Sequence, residues 1–82
     1  MNNISDMDIS RIKRIHCLGI GGIGLSAVAE ILADREYEVT GTDLKSSVVT
    51  EHLESKGIKI YREHLAENVH GVDAVVYSNA VS

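Results

Sequence analysis

The stretch Ile15-His16-Cys17-Leu18-Gly19-Ile20-Gly21-Gly22-Ile23-Gly24-Leu25-Ser26 decides how this chain is read. Residues 15–18 form a short apolar run of strand type. Three glycines follow at the G-x-G-x-x-G spacing, Gly19, Gly21 and Gly24, and a helical pattern comes after them. That order suits a phosphate cradle. Gly19 permits the tight turn out of the strand, Gly21 has no Cβ to hold a diphosphate off the backbone, and Gly24 lets the helix pack close to the sheet. A helix starting near Gly22 or Ile23 turns its unpaired N–H groups and the positive end of its dipole towards the anion. The same spacing also serves as a ligand-free turn, so the flanking sequence carries the argument.

Downstream, Leu25, Val28, Ile31 and Leu32 recur at helical spacing with Ala27, Ala29 and Ala33 between them, which predicts a helix of about 12 residues with one buried face. Its end falls near residues 34–36. Glu36 stands where a C-terminal glycine is usual, so the cap is either left-handed at some cost or built differently. Residues 37–42 alternate as a second strand, and Asp43 closes it 19 residues after Gly24, near the distance of a ribose-binding acid. A carboxylate there accepts hydrogen bonds from vicinal hydroxyls and repels a 2′-phosphate. Capping a turn or the next helix is the competing role for Asp43.

Ser46 or Ser47 can cap a second helix that runs to about Lys56, with Val49 and Leu53 inward. Neither serine has Glu or Gln three residues later, so no capping box is expected, and Gly57 suits the position just past the helix. Residues 58–61 read as a short third strand, and residues 64–69 as a loop with room for one helical turn. Gly71 turns the chain into a continuous apolar strand over 74–77, followed by the small polar residues Ser78, Asn79 and Ala80. The predicted fold is α/β, a Rossmann-like three-layer arrangement with a parallel sheet in the order 3-2-1-4, truncated after the fourth strand. In that order Ser78 and Asn79 emerge beside the glycine loop, and His64 lies towards the base-and-ribose end.

An 82-residue chain is at most one small domain, burying about 60–65% of its unfolded surface. With no Phe or Trp, its core must be Ile, Val, Leu and Ala with up to three Tyr. A net charge of −4 argues against a nucleic-acid groove. Cys17, the single cysteine, sits where a small buried hydrophobe belongs. The histidines, His16, His52, His64 and His70, are spaced wrongly for a metal site. There is no signal-peptide run and no stretch near the ~20 apolar residues of a membrane span, which predicts a cytoplasmic protein. Residues 1–12 read as a flexible lead-in to a domain over 13–82.

From residue 13 onwards the chain resembles the N-terminal part of the cytoplasmic Mur ligases, within them the UDP-N-acetylmuramate:L-alanine ligase (MurC) family. The resemblance rests on Ile15-His16, the extended Gly19-Ile20-Gly21-Gly22-Ile23-Gly24-Leu25-Ser26, Tyr37-Glu38-Val39-Thr40-Gly41-Thr42-Asp43-Leu44, His64 with Asn68-Val69, and Ser78-Asn79-Ala80-Val81. It implies that Gly19, Ile20, Gly21, Gly22, Ile23, Gly24, Ser78 and Asn79 cradle the diphosphate of UDP-N-acetylmuramate, while Asp43 and His64 face the uridine. Three positions depart from the family pattern: Glu36 for glycine, Leu25 for methionine, and Asn79 for a small hydroxyl residue.

The family's chemistry is ATP-driven amide formation with L-alanine, and it needs a G-x-x-x-x-G-K-[ST] loop and magnesium ligands that this sequence does not contain. The expectation is therefore a substrate-binding piece, with no catalytic residue or bound cofactor of its own; ATP and Mg belong to the full-length enzyme. Two other classes use the same glycines and Asp43: the NAD-binding half of a dehydrogenase, and a nucleotide-sensing regulatory domain. A fourth strand left at the edge would also be a template for self-association.

Overall fold

The computed structural model describes residues 11–78. Most of the expected lead-in and Asn79 therefore lie outside the described residues. The elements are β1 (Arg14–Leu18), α1 (Ile23–Asp34), β2 (Glu38–Thr42), α2 (Val48–Ser55), β3 (Lys59–Tyr61), a single 3-10 turn (Ala66–Val69) and β4 (Ala74–Tyr77). The four strands form one parallel sheet in the order β3-β2-β1-β4, as the sequence predicts. Among the described strands β4 is bonded to β1 alone, and its Val75 and Tyr77 are exposed.

Strand alternation divides the sheet into two chemically different faces. Ile15 and Cys17 of β1, Val39 of β2 and Ile60 of β3 join Ile20, Leu25, Ala29, Leu53 and Ile58 in one core beneath the two helices. Burial in this apolar setting pushes the Cys17 thiol up to about 11, so it is a packing residue with no thiolate at neutral pH. The opposite face carries His16, Thr40, Thr42 and Tyr61. At the far end of the sheet, the Asp73 carboxylate accepts from the Lys13 and Arg14 N–H groups, both at 2.8 Å, tying the start of β4 to the start of β1.

The helices differ in orientation from the predicted one at three positions. Leu25, Ala29, Leu32 and Ala33 face the core, whereas Val28 and Ile31 lie on the exposed side of α1. In α2 Val49 is likewise exposed, and Thr50 is buried in its place. A capping box is present after all. The Thr50 N–H donates to Ser47 Oγ at 3.2 Å, while Thr50 Oγ1 accepts from the Ser47 N–H at 2.9 Å, threonine doing what glutamate usually does.

Both helices close in the same way, with different residues at the critical point. After α1 the N–H of Glu36 donates to Ala33 O and that of Tyr37 to Leu32 O; after α2 Gly57 donates to Glu54 O and Ile58 to Leu53 O. Each is the paired 5→2 and 6→1 closure that needs a left-handed residue past the cap. That residue is Gly57 at φ 92° in one case and Glu36 at φ 71° in the other, so α1 carries the strain the sequence foreshadowed. Glu36→Gly is expected to stabilise the chain by about 0.5–1 kcal/mol, the strain relief being partly offset by the freer unfolded chain. Gly57→Ala should destabilise it by about 1 kcal/mol. Urea denaturation of the two variants checks both signs.

Candidate functional site: the glycine loop at the end of the first strand

The loop between β1 and α1 is shaped by acceptors at the end of β2. Thr42 O accepts from the Gly19 N–H at 2.7 Å and the Ile20 N–H at 3.1 Å. Asp43 Oδ2 then accepts from the Gly21 N–H at 2.8 Å, and Gly22 donates to Gly19 O at 3.0 Å. The N–H groups of residues 19–22 are thus engaged within the protein. They fold the loop. Gly22 caps α1 without a side-chain bond, and the first intrahelical donor across it is Ser26, to Gly22 O at 2.8 Å. Helix geometry leaves the N–H groups of Ile23, Gly24 and Leu25 without intrahelical acceptors, at the positive end of the helix dipole.

The glycine roles match the sequence expectation at Gly19 and depart from it at Gly24. Gly19 has φ 74°, the left-handed turn foreseen for it. A Cβ at Gly21 would meet Asp43 Oδ2 at 2.7 Å and Thr50 Cγ2 at 3.0 Å, so the constraint on Gly21 comes from the approach of the carboxylate. A Cβ at Gly24 would meet nothing within 4 Å, and this glycine is not the one that admits close packing. That role falls to Gly41 in β2, where a Cβ would lie 2.7 Å from Ile20 Cβ and 2.8 Å from Ile20 Cγ2. Ile20, fully buried, stands directly on Gly41 as part of the core, while Ile23 at the helix start is almost wholly exposed.

Asp43 takes the turn-closing role and also holds the glycine loop. Its Oδ2 holds Gly21, and its Oδ1 accepts from the Lys45 N–H at 3.0 Å, closing the turn after β2. A carboxylate has about four lone-pair sites, so capacity remains for hydroxyl donors. Arg62, not singled out in the sequence, reinforces this turn: Nη1 donates to Lys45 O at 3.0 Å and Asp43 O at 3.4 Å, and Nη2 lies 3.7 Å from Glu54 Oε1. Beside it a groove of about 300 Å³ is walled by Tyr61, Arg62, Glu63, Leu65, Glu67 and Asn68. His64 is exposed in the same loop, close enough to His16 to oppose its protonation. Ser78 follows Tyr77, the β4 partner of Leu18, and so emerges beside Gly19. Among the described residues no three His, Cys, Asp or Glu side chains gather as a metal cage, and no helix is long and apolar enough to cross a membrane.

Residues 14–82 match the family model described as "Mur ligase family, catalytic domain". The chain belongs to the Mur ligase family. It is 53% identical over 73 residues to a UDP-N-acetylmuramate--L-alanine ligase of Salinibacter ruber, covering 89% of this chain and 15% of that protein. A protein of the same name from Acetivibrio thermocellus is 47% identical over 81 residues, covering 99% of this chain and 17% of the relative. The crystal structure of the Thermotoga maritima UDP-N-acetylmuramate-alanine ligase MurC superposes with a TM-score of 0.76 at 38% identity, over 84% of this chain and 16% of that one. This Mur ligase chain therefore spans only about a sixth of the length of the relatives it matches.

Because Ile20 fills the space above Gly41, Gly41→Ala in this Mur ligase chain is expected to cost about 1–3 kcal/mol through overpacking. A loss below about 0.5 kcal/mol in chemical denaturation would mean that Ile20 can move aside.

Proposed function

We propose that this chain holds UDP-N-acetylmuramate in a UDP-N-acetylmuramate:L-alanine ligase of peptidoglycan precursor synthesis, a cytoplasmic enzyme whose remaining parts bind ATP, Mg and L-alanine. The observation that carries the reading is the set of helix-start donors. Once β2 has taken up the loop's own N–H groups, those of Ile23, Gly24 and Leu25 stand at the α1 dipole. The diphosphate sits there, on a loop built by Gly19, Ile20, Gly21 and Gly22, with Ser78, just past β4, adding a donor and Asn79, next in sequence, assigned the same role by the resemblance.

Electrostatics orders the rest of the ligand. The Asp43 carboxylate repels phosphate and attracts hydroxyls, so the ribose lies towards Asp43 and the uridine towards His64. The amide-forming step takes place elsewhere in the enzyme. There the muramoyl carboxylate is phosphorylated by ATP, and the amine of L-alanine attacks the acyl phosphate and expels inorganic phosphate. No phosphate loop for ATP occurs in this sequence. The names and identities of the relatives favour the UDP-sugar over a nicotinamide cofactor.

Calorimetric titration with UDP-N-acetylmuramate and, in parallel, NADH tests the reading. Saturable binding of the UDP-sugar alone is expected; binding of NADH alone would replace it with the dehydrogenase reading. Gly24→Ala sharpens the test. The added methyl meets nothing in the fold, so stability should hold or rise by up to ~1 kcal/mol from helix propensity, while affinity for the UDP-sugar drops about tenfold or more.

A further inference from the structure

We infer that His16 is the positioning residue that holds the end of β2 in place beneath the glycine loop. It lies on the sheet face away from the helices and is fully buried, as is Thr42. Its Nδ1 is 2.6 Å from Thr40 Oγ1 and its Nε2 is 2.6 Å from Thr42 Oγ1, so one imidazole spans two alternate residues of the neighbouring strand. Thr42 is also the residue whose carbonyl accepts from both Gly19 and Ile20. One side chain therefore connects β1, just before the loop, to the acceptor that folds the loop back. His16 touches no anion donor and acts only through Thr42.

The arrangement suits a neutral imidazole. One ring nitrogen donates to a threonine hydroxyl and the other accepts from one, and both hydroxyls can rotate to match either tautomer. Burial opposes the charged form, and His64 adds repulsion, so the His16 pKa lies below its ordinary 6.5. On the same sheet face β3 carries Tyr61, with ring centroids 6.2 Å apart, and Lys59, which lies over the Tyr61 ring; β2 offers the two threonines, and β4 pairs Val75 against His16 and places Tyr77 two residues on. The sign follows. An opened state takes up the proton first as pH falls below 6.5, so the closed arrangement is at full strength above that value and weakens through the window beneath it.

Amide hydrogen exchange on the ligand-free 82-residue chain tests this without reference to any nucleotide, so its outcome is independent of the UDP-sugar reading. Protection factors of Gly19 and Ile20 should fall by up to about tenfold between pH 7.5 and 5.5, while that of Glu38, which donates to Lys13 O at the other end of the same strand pair, changes less. His16→Gln should abolish the pH response and His64→Gln should keep it. Thr42→Val should lower Gly19 and Ile20 protection about fivefold to tenfold at pH 7.5, with Thr42→Ser close to wild type. Equal changes at Gly19, Ile20 and Glu38 would reduce His16 to a general core residue. Unchanged Gly19 and Ile20 protection in Thr42→Val would overturn the proposal outright.

Discussion

The structure turns on the two hydrogen bonds accepted by the Thr42 carbonyl. Gly19 and Ile20 donate to it, and the adjoining Asp43 carboxylate takes the next N–H, that of Gly21. Three successive donors of the loop are thus satisfied by two successive residues at the end of β2. The third contact is charge-assisted and correspondingly strong. The parallel register of β1 and β2 brings these groups together, since Leu18 pairs with Thr42 at the last rung of the ladder. The loop is an extension of the sheet, and its shape is fixed by strand pairing before any ligand arrives.

That constraint divides the loop's labour. Residues 19–22 spend their N–H groups on the fold, and residues 23–25 keep theirs for the helix end. Ile20 anchors the arrangement from the core side by standing on Gly41, while His16 and the two threonines brace the opposite face. The end of β2 is held from the flank too, because Asp43 donates to Tyr61 O and Arg62 ties the following turn. A site organised in this way presents fixed dipoles and has little reorganisation to undergo on binding an anion.

Much of this was legible in the sequence because it depends on local spacing. The strand–glycine–helix order follows from periodicity and the parallel sheet order from right-handed crossovers, and the missing glycine marks Glu36, where the left-handed of the two expected caps is found. What escaped depends on contacts across the fold. Periodicity placed Val28, Ile31 and Val49 inward because they are apolar, but a helix lying on one side of a sheet buries only a narrow stripe, and Ala29 and Thr50 occupy it. Gly41 looked like an ordinary strand residue, since nothing in its own segment announces that Ile20 will land on it. Thr50 completes a capping box that a search for Glu or Gln passes over. The His16–Thr40–Thr42 group carried a faint signal, a histidine within the apolar run of β1 at a position that the parallel register sets beside Thr40, whereas Arg62, just past β3, carried none. The groove beside Arg62 comes from the conformation of residues 61–68, which no motif in the sequence encodes.

The most direct measurement of this division of labour is amide chemical-shift mapping of the chain at saturating UDP-N-acetylmuramate. The account predicts the largest responses at Ile23, Gly24 and Leu25, with Gly19, Ile20 and Gly21 remaining protected by their bonds to Thr42 and Asp43. Dominant responses at Gly19 to Gly21 accompanied by loss of their protection, or no response at residues 23–25, would contradict it.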